Sequence, residues 1–293
     1  MKQDDDHRPT LNLRDVRRRS DIAAASFDSA DFVHTVTRDG LFERLQPLVV
    51  EATRVLDLGA ATGRASARLK KRFRAAHLVS LDVSRNMLLR ARSKRAWLSR
   101  SHSSFVQADA SQLPFDNQSI DVVFSNLLLP FLGMPGRVFQ EVSRVLRKGG
   151  VFAFATLGPD SLLEIRRAWS NVDSDDHVNH FLDMHDIGDA LLRSGLRDPV
   201  LDVDHLEVHY ENSERLFADL RDVGARNTLR RRSRSLMGKQ RFEKLRAALA
   251  SGSGDGGIRL NLELVYGHCW GGGPRSDPAN YTVDASRIPR RRR

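Results

Sequence analysis

The sequence contains little cysteine and no long apolar run. Its 293 residues include one cysteine, Cys269, which cannot form an intramolecular disulfide or a cysteine-rich zinc site. No stretch approaches the ~18 consecutive apolar residues that a membrane-spanning helix requires. The first ten residues are polar and acidic, unlike a secretory signal peptide. These absences predict a soluble protein of a reducing compartment, the cytoplasm, with no membrane partner.

Aromatic residues are scarce, whereas positive charge is in excess. The 47 Lys and Arg residues outnumber the 37 Asp and Glu residues, and the formal net charge is +10. Such an excess is typical of proteins that bind nucleic acid, an anionic surface or an acidic protein. RNA-binding surfaces usually add stacking aromatic side chains, but none interrupts the arginine-rich residues 226–234. Nucleic acid is therefore the less favoured partner.

The apolar pattern divides the first half of the chain. Residues 1–20 are polar and basic, and we predict that they are mostly disordered. Over residues 21–49 apolar residues recur at near 3.6-residue spacing, which predicts an amphipathic helix. Five short apolar runs then alternate with stretches of helical length over residues 54–157, as in a parallel sheet with helices on both faces. The runs are RVLDLG (54–59), HLVSLDV (77–83), SSFVQAD (103–109), SIDVVFSNL (119–127) and GVFAFATL (150–157).

The pattern changes after residue 157. Helical inserts are predicted within residues 158–200 and 211–250, the second of them strongly basic. Strongly alternating segments predict strands over residues 201–210 and 258–270. We expect residues 21–270 to form one domain and residues 271–293, which end in four arginines, to form a flexible tail.

Residues suited to ligand binding follow the first two predicted strands. Ligands of open α/β sheets bind at the carboxyl ends of the strands. Asp57 ends the first strand and precedes a turn bracketed by Gly59 and Gly63, where glycine lets the backbone approach a ligand closely. Asp82 ends the second strand, and a carboxylate at this place can accept two hydrogen bonds from a ribose diol. The glycine turn alone would equally open a dinucleotide-binding fold.

The next two strands add further candidates. Asp109 and Ala110 follow the third strand, where a carboxylate can accept a hydrogen bond from the exocyclic amine of adenine. Asn126 ends the fourth strand, either facing the reactive end of the ligand or capping the following helix. Four ligand-suited strand ends in one chain arise by accident far more rarely than one.

These motifs resemble those of a known superfamily. The segments VLDLGAATGR, LDVSRNML, QADASQLPF and IDVVFSNL are similar to the seven-stranded S-adenosylmethionine-dependent methyltransferases. The resemblance implies an α/β, Rossmann-like, mostly parallel sheet with helices on both faces and an antiparallel last strand. It implies S-adenosylmethionine as cofactor and places Met87 against its adenine. Ala61 stands where the superfamily commonly has glycine, a position that can often accommodate a methyl group.

The flanking segments resemble one family more closely. Residues 23–32, 155–169, 177–187 and 217–228 are similar to malonyl-acyl-carrier-protein methyltransferases of biotin synthesis. This resemblance implies methyl transfer to the free carboxylate of a malonyl thioester on an acidic carrier protein. Phe27 replaces a usual tyrosine, and Leu129, Pro130 and Phe131 replace a usual Leu-Gln-Trp. A methyltransferase-like protein for another small-molecule or quinone-related substrate is an alternative, and an RNA methyltransferase is a less favoured one.

The expected reaction sets requirements for the substrate site. A carboxylate is already ionised near neutral pH, so no general base and no catalytic residue are assigned. A free carboxylate favours an arginine partner, and Arg166 is the candidate, although a solvated helix face is the alternative. Phe27, in the expected N-terminal lid helix, is either a substrate contact or a core residue. The histidines His177 and His180 are interpreted as part of a polar loop, with no metal bound.

Overall fold

A computed structural model describes residues 11–94, 102–232, 237–251 and 257–272. The strands are β1 (Arg54–Leu58), β2 (His77–Asp82), β3 (Ser103–Gln107), β4 (Ile120–Asn126), β5 (Leu146–Leu157), β6 (Leu196–Tyr210) and β7 (Ile258–Gly271). They form a seven-stranded sheet in the order β3-β2-β1-β4-β5-β7-β6. β7 is antiparallel to β5 and β6, whereas the other neighbouring strands are parallel. The predicted Rossmann-like α/β fold with an antiparallel last strand is confirmed.

Side chains of the central strands enter cores on both faces of the sheet. In β4, Val122 and Phe124 pack into one core and Val123 into the other, and all three are fully buried. Strands buried on both faces favour continuous apolar sequence over strict alternation. The carboxyl edge of the sheet is therefore where polar residues that end the strands can meet a ligand.

Helices cover the two faces of the sheet. They are α1 (Leu13–Ala23), α2 (Phe27–Ala30), α3 (Phe32–Leu45), α4 (Arg64–Arg72), α5 (Arg85–Lys94), α6 (Pro135–Val145), α7 (Leu163–Ser170), α8 (Met184–Arg193), α9 (Ser213–Asp222) and α10 (Lys239–Ser251). In the described ranges no helix combines the length and the apolar character needed to cross a bilayer.

The N-terminal segment differs from the prediction for residues 1–20. Within that segment, α1 begins at Leu13, because the Asn12 side chain accepts hydrogen bonds from two N–H groups of the first turn. Leu11 is buried and forms a β-bridge with Leu229. The expectation of disorder is therefore wrong from residue 11 onward, and residues 1–10 lie outside the described ranges. The single helix expected over residues 21–49 is instead the end of α1 followed by α2 and α3.

The second half of the chain adds a helical layer. The insert predicted at residues 158–200 contains α7 and α8 but also the start of β6 at Leu196. The insert at 211–250 contains α9 and α10, separated by residues that are not helical where the structure describes them. α7, α9 and α10 pack with β6 and β7 around a third core that includes Ile165 and Leu245. Residues 273–293 of the predicted tail lie outside the described ranges.

Candidate active site

The glycine turn after β1 packs too closely for side chains at two positions. Gly59 and Gly63 have φ of +79° and +80°, a region that favours glycine. A Cβ at Gly63 would lie 2.8 Å from the Cβ of Ala91, and one at Gly59 would lie 3.2 Å from Leu128. Ala61 also has positive φ, 45°, at the position where the superfamily commonly has glycine. The turn therefore keeps the glycine-type backbone despite the methyl group of Ala61.

Asp82 is held at the carboxyl end of β2 by backbone hydrogen bonds. Its Oδ2 accepts the N–H of Ala61 at 2.9 Å, and its Oδ1 accepts the N–H of Ser84 at 2.8 Å. Burial raises the pKa of Asp82 to about 6, even though these bonds favour the charged form. Each carboxylate oxygen can accept more than one hydrogen bond. Asp82 can therefore also receive two hydroxyl groups of a ligand.

Asp57 is placed differently from the prediction. Its buried carboxylate accepts a hydrogen bond from Ser66 Oγ at 2.5 Å, and that hydroxyl lies 2.8 Å from Ser80 Oγ. Burial raises the pKa of Asp57 to about 7. The side chain supports the start of α4 from within the fold and does not line the cavity beside the turn. The predicted cofactor contact of the Asp57 side chain is therefore not present in this arrangement.

Apart from Gly63, the other predicted cofactor residues meet at one cavity at the carboxyl edge of the sheet. Its walls come from the turn, the ends of β2 and β4, the segment after β3 and α5. They include Phe27, Gly59, Ala61, Asp82, Met87, Asp109, Ala110 and Asn126. Met87 and Ala110 are buried apolar walls, whereas Asp109 is exposed. Gly63 opens α4 and faces a separate cavity beside it.

The N-terminal helices cover this cavity through Phe27. Phe27 packs against Met87 and Ala23 in a small buried cluster. Its ring also meets the His34 ring edge-on, with centroids 4.8 Å apart. Phe27 is thus a core residue that also forms a wall of the first cavity, and it does not line the second one. Its predicted contact with the substrate stays a prediction.

Asp28 fastens α2 to the turn. Its carboxylate accepts a hydrogen bond from Thr62 Oγ1 at 2.6 Å and from Arg64 Nε at 3.1 Å, and it pairs with Lys94. Burial acts to raise the pKa of Asp28, but the hydrogen bonds from Lys94, Thr62 and Arg64 hold it below its ordinary value. The same element that covers the cavity is therefore tied to α4 and α5.

Asp21 gives α1 a similar attachment. Its Oδ1 accepts a hydrogen bond from Ser84 Oγ at 2.6 Å and from the N–H of Asn86 at 3.2 Å. Neither Asp21 nor Asp28 carries a motif that predicts its role, because each acts through a partner more than 30 residues away in sequence.

His34 and Asn126 lie where this cavity adjoins a second one. Asn126 Nδ2 donates to the carbonyl of His34 at 3.0 Å. Within the described residues, the buried Nδ1 of His34 and Oδ1 of Asn126 have no hydrogen-bond partner. Burial, with a smaller effect of Arg38, lowers the pKa of His34 to about 4, so its imidazole is neutral near pH 7. Nothing in the sequence predicted His34.

The second cavity is larger and mostly apolar, with a volume near 550 Å³. Its inner end is formed by His34, Leu127 and Phe131, which also line the first cavity. Its polar walls include Asn179 and Tyr210, and burial raises the pKa of Tyr210 to about 12. The hydroxyl of Tyr210 therefore keeps its proton.

Arg166 does not line either of these cavities. Its guanidinium donates to the carbonyl oxygen of Val178 at 3.2 Å and to that of Asn179. It also lies over the Phe181 ring. The predicted contact between Arg166 and the substrate carboxylate is thus replaced by a structural role that holds the loop before α8.

The histidine and acidic residues after α7 form a polar cluster. Asp173 Oδ1 accepts a hydrogen bond from the N–H of Asp175 at 2.9 Å and lies 2.7 Å from His177 Nε2. Arg241 pairs with the other oxygen of Asp173. These groups are close enough together to hold a metal ion. The carboxylate of Asp173, however, already pairs with Arg241 and accepts the N–H of Asp175.

The first cavity fits an S-adenosylmethionine-type cofactor in its chemistry. Asp82 offers acceptors for a pair of hydroxyls, Asp109 an acceptor for an amine, and Met87 an apolar wall for a ring. The unpartnered Oδ1 of Asn126 is an acceptor next to the second cavity. A cofactor bound along these groups would thus have one end close to a ligand of the second cavity.

Comparisons with known proteins agree with the fold. A family model described as a methyltransferase domain matches residues 56–154. In solved structures, Haemonchus contortus phosphoethanolamine N-methyltransferase 2 in complex with S-adenosyl-L-methionine superposes with a TM-score of 0.58 and 16% identity, covering 90% of this chain and 60% of that one. The putative methyltransferase complexed with the Haloferax volcanii Trm112 activator gives a TM-score of 0.57 at 20% identity, covering 89% and 100%. These likenesses support the fold.

Two relatives match much more closely in sequence. A malonyl-[acyl-carrier protein] O-methyltransferase of Laribacter hongkongensis is 39% identical over 261 residues, which is 87% of this chain and 88% of the relative. A protein of the same name from Halorhodospira halophila is 38% identical over 290 residues, or 97% and 98% of the two chains. Because this identity extends over nearly all of both relatives, the chain belongs to the family of malonyl-[acyl-carrier protein] O-methyltransferases.

Proposed function

We propose that this protein transfers the methyl group of S-adenosylmethionine to the free carboxylate of a malonyl thioester on acyl carrier protein, an early step of biotin synthesis. The observation that carries the proposal is the contact between its two cavities at His34, Leu127 and Phe131. One cavity has the polar groups expected for the cofactor, and the other is mostly apolar with a volume near 550 Å³, which leaves room for a thioester-linked chain. Family membership supports the choice of substrate.

Different residues of the chain would bind different parts of the cofactor. Asp82 would hold the ribose hydroxyls, Asp109 with Ala110 and Met87 the adenine, and the glycine turn with Asn126 the methionine portion. When bound, S-adenosylmethionine supplies an electrophilic methyl group attached to a sulfonium. The bond formed joins a carboxylate oxygen to that methyl carbon, and the bond broken joins the carbon to sulfur, giving a methyl ester and S-adenosylhomocysteine.

The residues around the reacting groups orient them and exclude water. Leu127 and Phe131 form apolar walls at the inner end of the second cavity, which removes water from the carboxylate. The neutral imidazole of His34 can donate a hydrogen bond to it without neutralising its charge. No proton has to be removed, so positioning is the main catalytic task, and it can contribute ~7–11 kcal/mol.

The carrier protein is the proposed macromolecular partner. Arg221 and Arg226 are exposed at the mouth of the second cavity, and Arg230 and Arg231 are exposed nearby in sequence. A basic rim would steer an acidic carrier protein towards the mouth. The one cysteine, Cys269, is buried in β7, which supports the proposal that the protein acts in a reducing compartment, the cytoplasm.

The proposed reaction can be tested with S-adenosylmethionine labelled in its methyl group. We expect label to be transferred to malonyl-loaded carrier protein and released as methanol by mild base, because a methyl ester is formed. Acetyl-loaded carrier protein is the matched control, since it has the same arm and thioester but no free carboxylate. Total tRNA is included in parallel. Label in tRNA, or equal label on the acetyl and malonyl carriers, would overturn the proposal.

A further inference from the structure

Three arginines meet beside the mouth of the second cavity. Arg19 lies on α1, whereas Arg226 and Arg232 lie in the segment after α9; we call these three residues the arginine cluster. The segment is fixed against the N-terminal residues by the β-bridge between Leu11 and Leu229. A hydrogen bond from the N–H of Asn12 to the carbonyl of Thr228, 2.8 Å long, adds to this attachment. The arrangement therefore depends on two distant parts of the chain.

The arginine cluster has an unsatisfied hydrogen-bond donor. Arg232 is 16% exposed and pairs with Asp15 at 2.6 Å. Arg19 Nη1 is buried and has no hydrogen-bond partner within the described residues. Burial and the neighbouring charges of Arg226 and Arg232 lower the pKa of Arg19 to about 10, so it remains charged near pH 7. A buried donor without an acceptor is costly, and an anion placed here would satisfy it.

The position of the arginine cluster relates it to the second cavity. Arg226 is exposed and lines the mouth of that cavity, together with Arg221. At His34 and Leu127 the same cavity adjoins the proposed cofactor site. A substrate whose reacting carboxylate lies beside His34 can therefore extend its chain through this cavity to Arg226 and the arginine cluster.

We propose that the arginine cluster binds the phosphodiester of the phosphopantetheine arm that carries the malonyl group. This inference rests on the proposed function. Arginine is suited to this ligand because its planar guanidinium can give two parallel hydrogen bonds to phosphate oxygens. The apolar cavity then accommodates the pantetheine chain, and the arginine cluster fixes how far the thioester extends towards the cofactor.

The test compares two small substrates that differ by one phosphate, malonyl-phosphopantetheine and malonyl-pantetheine. In the unmodified protein, we expect kcat/KM to be at least about tenfold higher for the phosphorylated substrate, as one or more charge-assisted hydrogen bonds imply. Arg19→Gln and Arg226→Gln should each lower kcat/KM for malonyl-phosphopantetheine and leave that for malonyl-pantetheine within about twofold. Arg92→Gln, an exposed arginine of α5, is the matched control and should change neither value.

The outcomes separate this inference from the proposed function. Equal kcat/KM for the two substrates, or equal loss on both in the variants, would overturn the phosphate site while the methyltransferase function stands. If no malonyl thioester is methylated, the proposed function fails, and calorimetry with phosphopantetheine alone then decides the inference. Absence of binding, or binding unchanged in both variants, would overturn it. Retained S-adenosylmethionine binding and an unchanged melting curve show that a variant is folded. If Arg19→Gln does not fold, Arg226→Gln still tests the inference, because Arg226 is exposed.

Discussion

Asp82 combines a partly buried position with the capacity to accept further hydrogen bonds. Its two oxygens already accept N–H groups from the glycine turn and from Ser84, so its orientation is set before any ligand binds. A carboxylate fixed in this way loses little conformational entropy on binding a pair of hydroxyls. The residue therefore connects the backbone of two loops with the proposed cofactor.

Replacing Asp82 by alanine should weaken S-adenosylmethionine binding. The expected loss is at least about tenfold in affinity, because a hydrogen bond to a charged group contributes ~1.5–3 kcal/mol. Titration calorimetry measures it, with Asp189→Ala as control because Asp189 is an exposed aspartate of α8. Unchanged affinity in a folded Asp82→Ala protein would contradict the assignment.

Asp57 should make stability depend on pH. Its pKa in the folded protein is about 7, against an ordinary value of 3.8. Below about pH 4 the group is protonated whether the chain is folded or not, and between about pH 4 and 7 the folded protein retains the proton more strongly. The contribution of Asp57 to the free energy of unfolding is therefore fully present at low pH and is lost as the pH rises to about 7.

The Asp57→Asn variant removes this titration. The free energy of unfolding of the unmodified protein, minus that of the variant, should fall by up to about 1.4 kcal/mol per pH unit between about pH 4 and 7. Urea unfolding at several pH values measures this difference. A constant difference for Asp57→Asn would show that the carboxyl is ionised in the folded protein throughout this range.

At the scale of elements, α2 acts as a cover held by charge. Asp28 connects it to Thr62 of the glycine turn and to the basic residues Arg64 and Lys94. Phe27 on the same short helix lies over the cavity. Because a four-residue helix has little stability of its own, its position depends on these contacts.

The Asp28→Ala variant should loosen this cover. We expect faster hydrogen exchange over residues 13–30 and an S-adenosylmethionine affinity lowered about three- to tenfold, since partly exposed ion pairs contribute up to ~1 kcal/mol each. Asp39→Ala is the control, because Asp39 pairs with Arg68 in a half-exposed position on α3. Faster exchange in both variants alike would indicate a general loss of stability rather than a role of α2.

Elements with a local signal in the sequence could be predicted, whereas elements that depend on distant contacts could not. β1 to β5 were predicted because their buried residues form apolar runs, which is a local signal. The helix α1 was not, because its start depends on a cap and on the bridge to Leu229. The direction of a side chain could not be predicted either. Asp57 and Arg166 are residue types that suit ligand binding, but Asp57 accepts a hydrogen bond from Ser66, and Arg166 donates to two backbone carbonyls.

At the scale of the whole molecule, the excess positive charge near the proposed substrate entrance includes both partly buried and exposed arginines. Arg232 is largely buried and paired with Asp15, so reversing its charge would disturb α1. Arg230 and Arg231 are exposed. These two residues can therefore be changed to test whether exposed charge steers the proposed acidic carrier protein.

Reversing Arg230 and Arg231 together to glutamate should raise KM for malonyl-loaded carrier protein several-fold at low salt. The effect should nearly vanish near 1 M salt, where the screening length falls to about 3 Å. KM for malonyl-pantetheine should not change, because that substrate has no protein surface to attract. Arg90→Glu with Arg92→Glu, exposed on α5, changes the net charge equally and is the control. If both pairs raised KM alike, overall charge would govern docking; if neither did, residues 230 and 231 would only aid solubility.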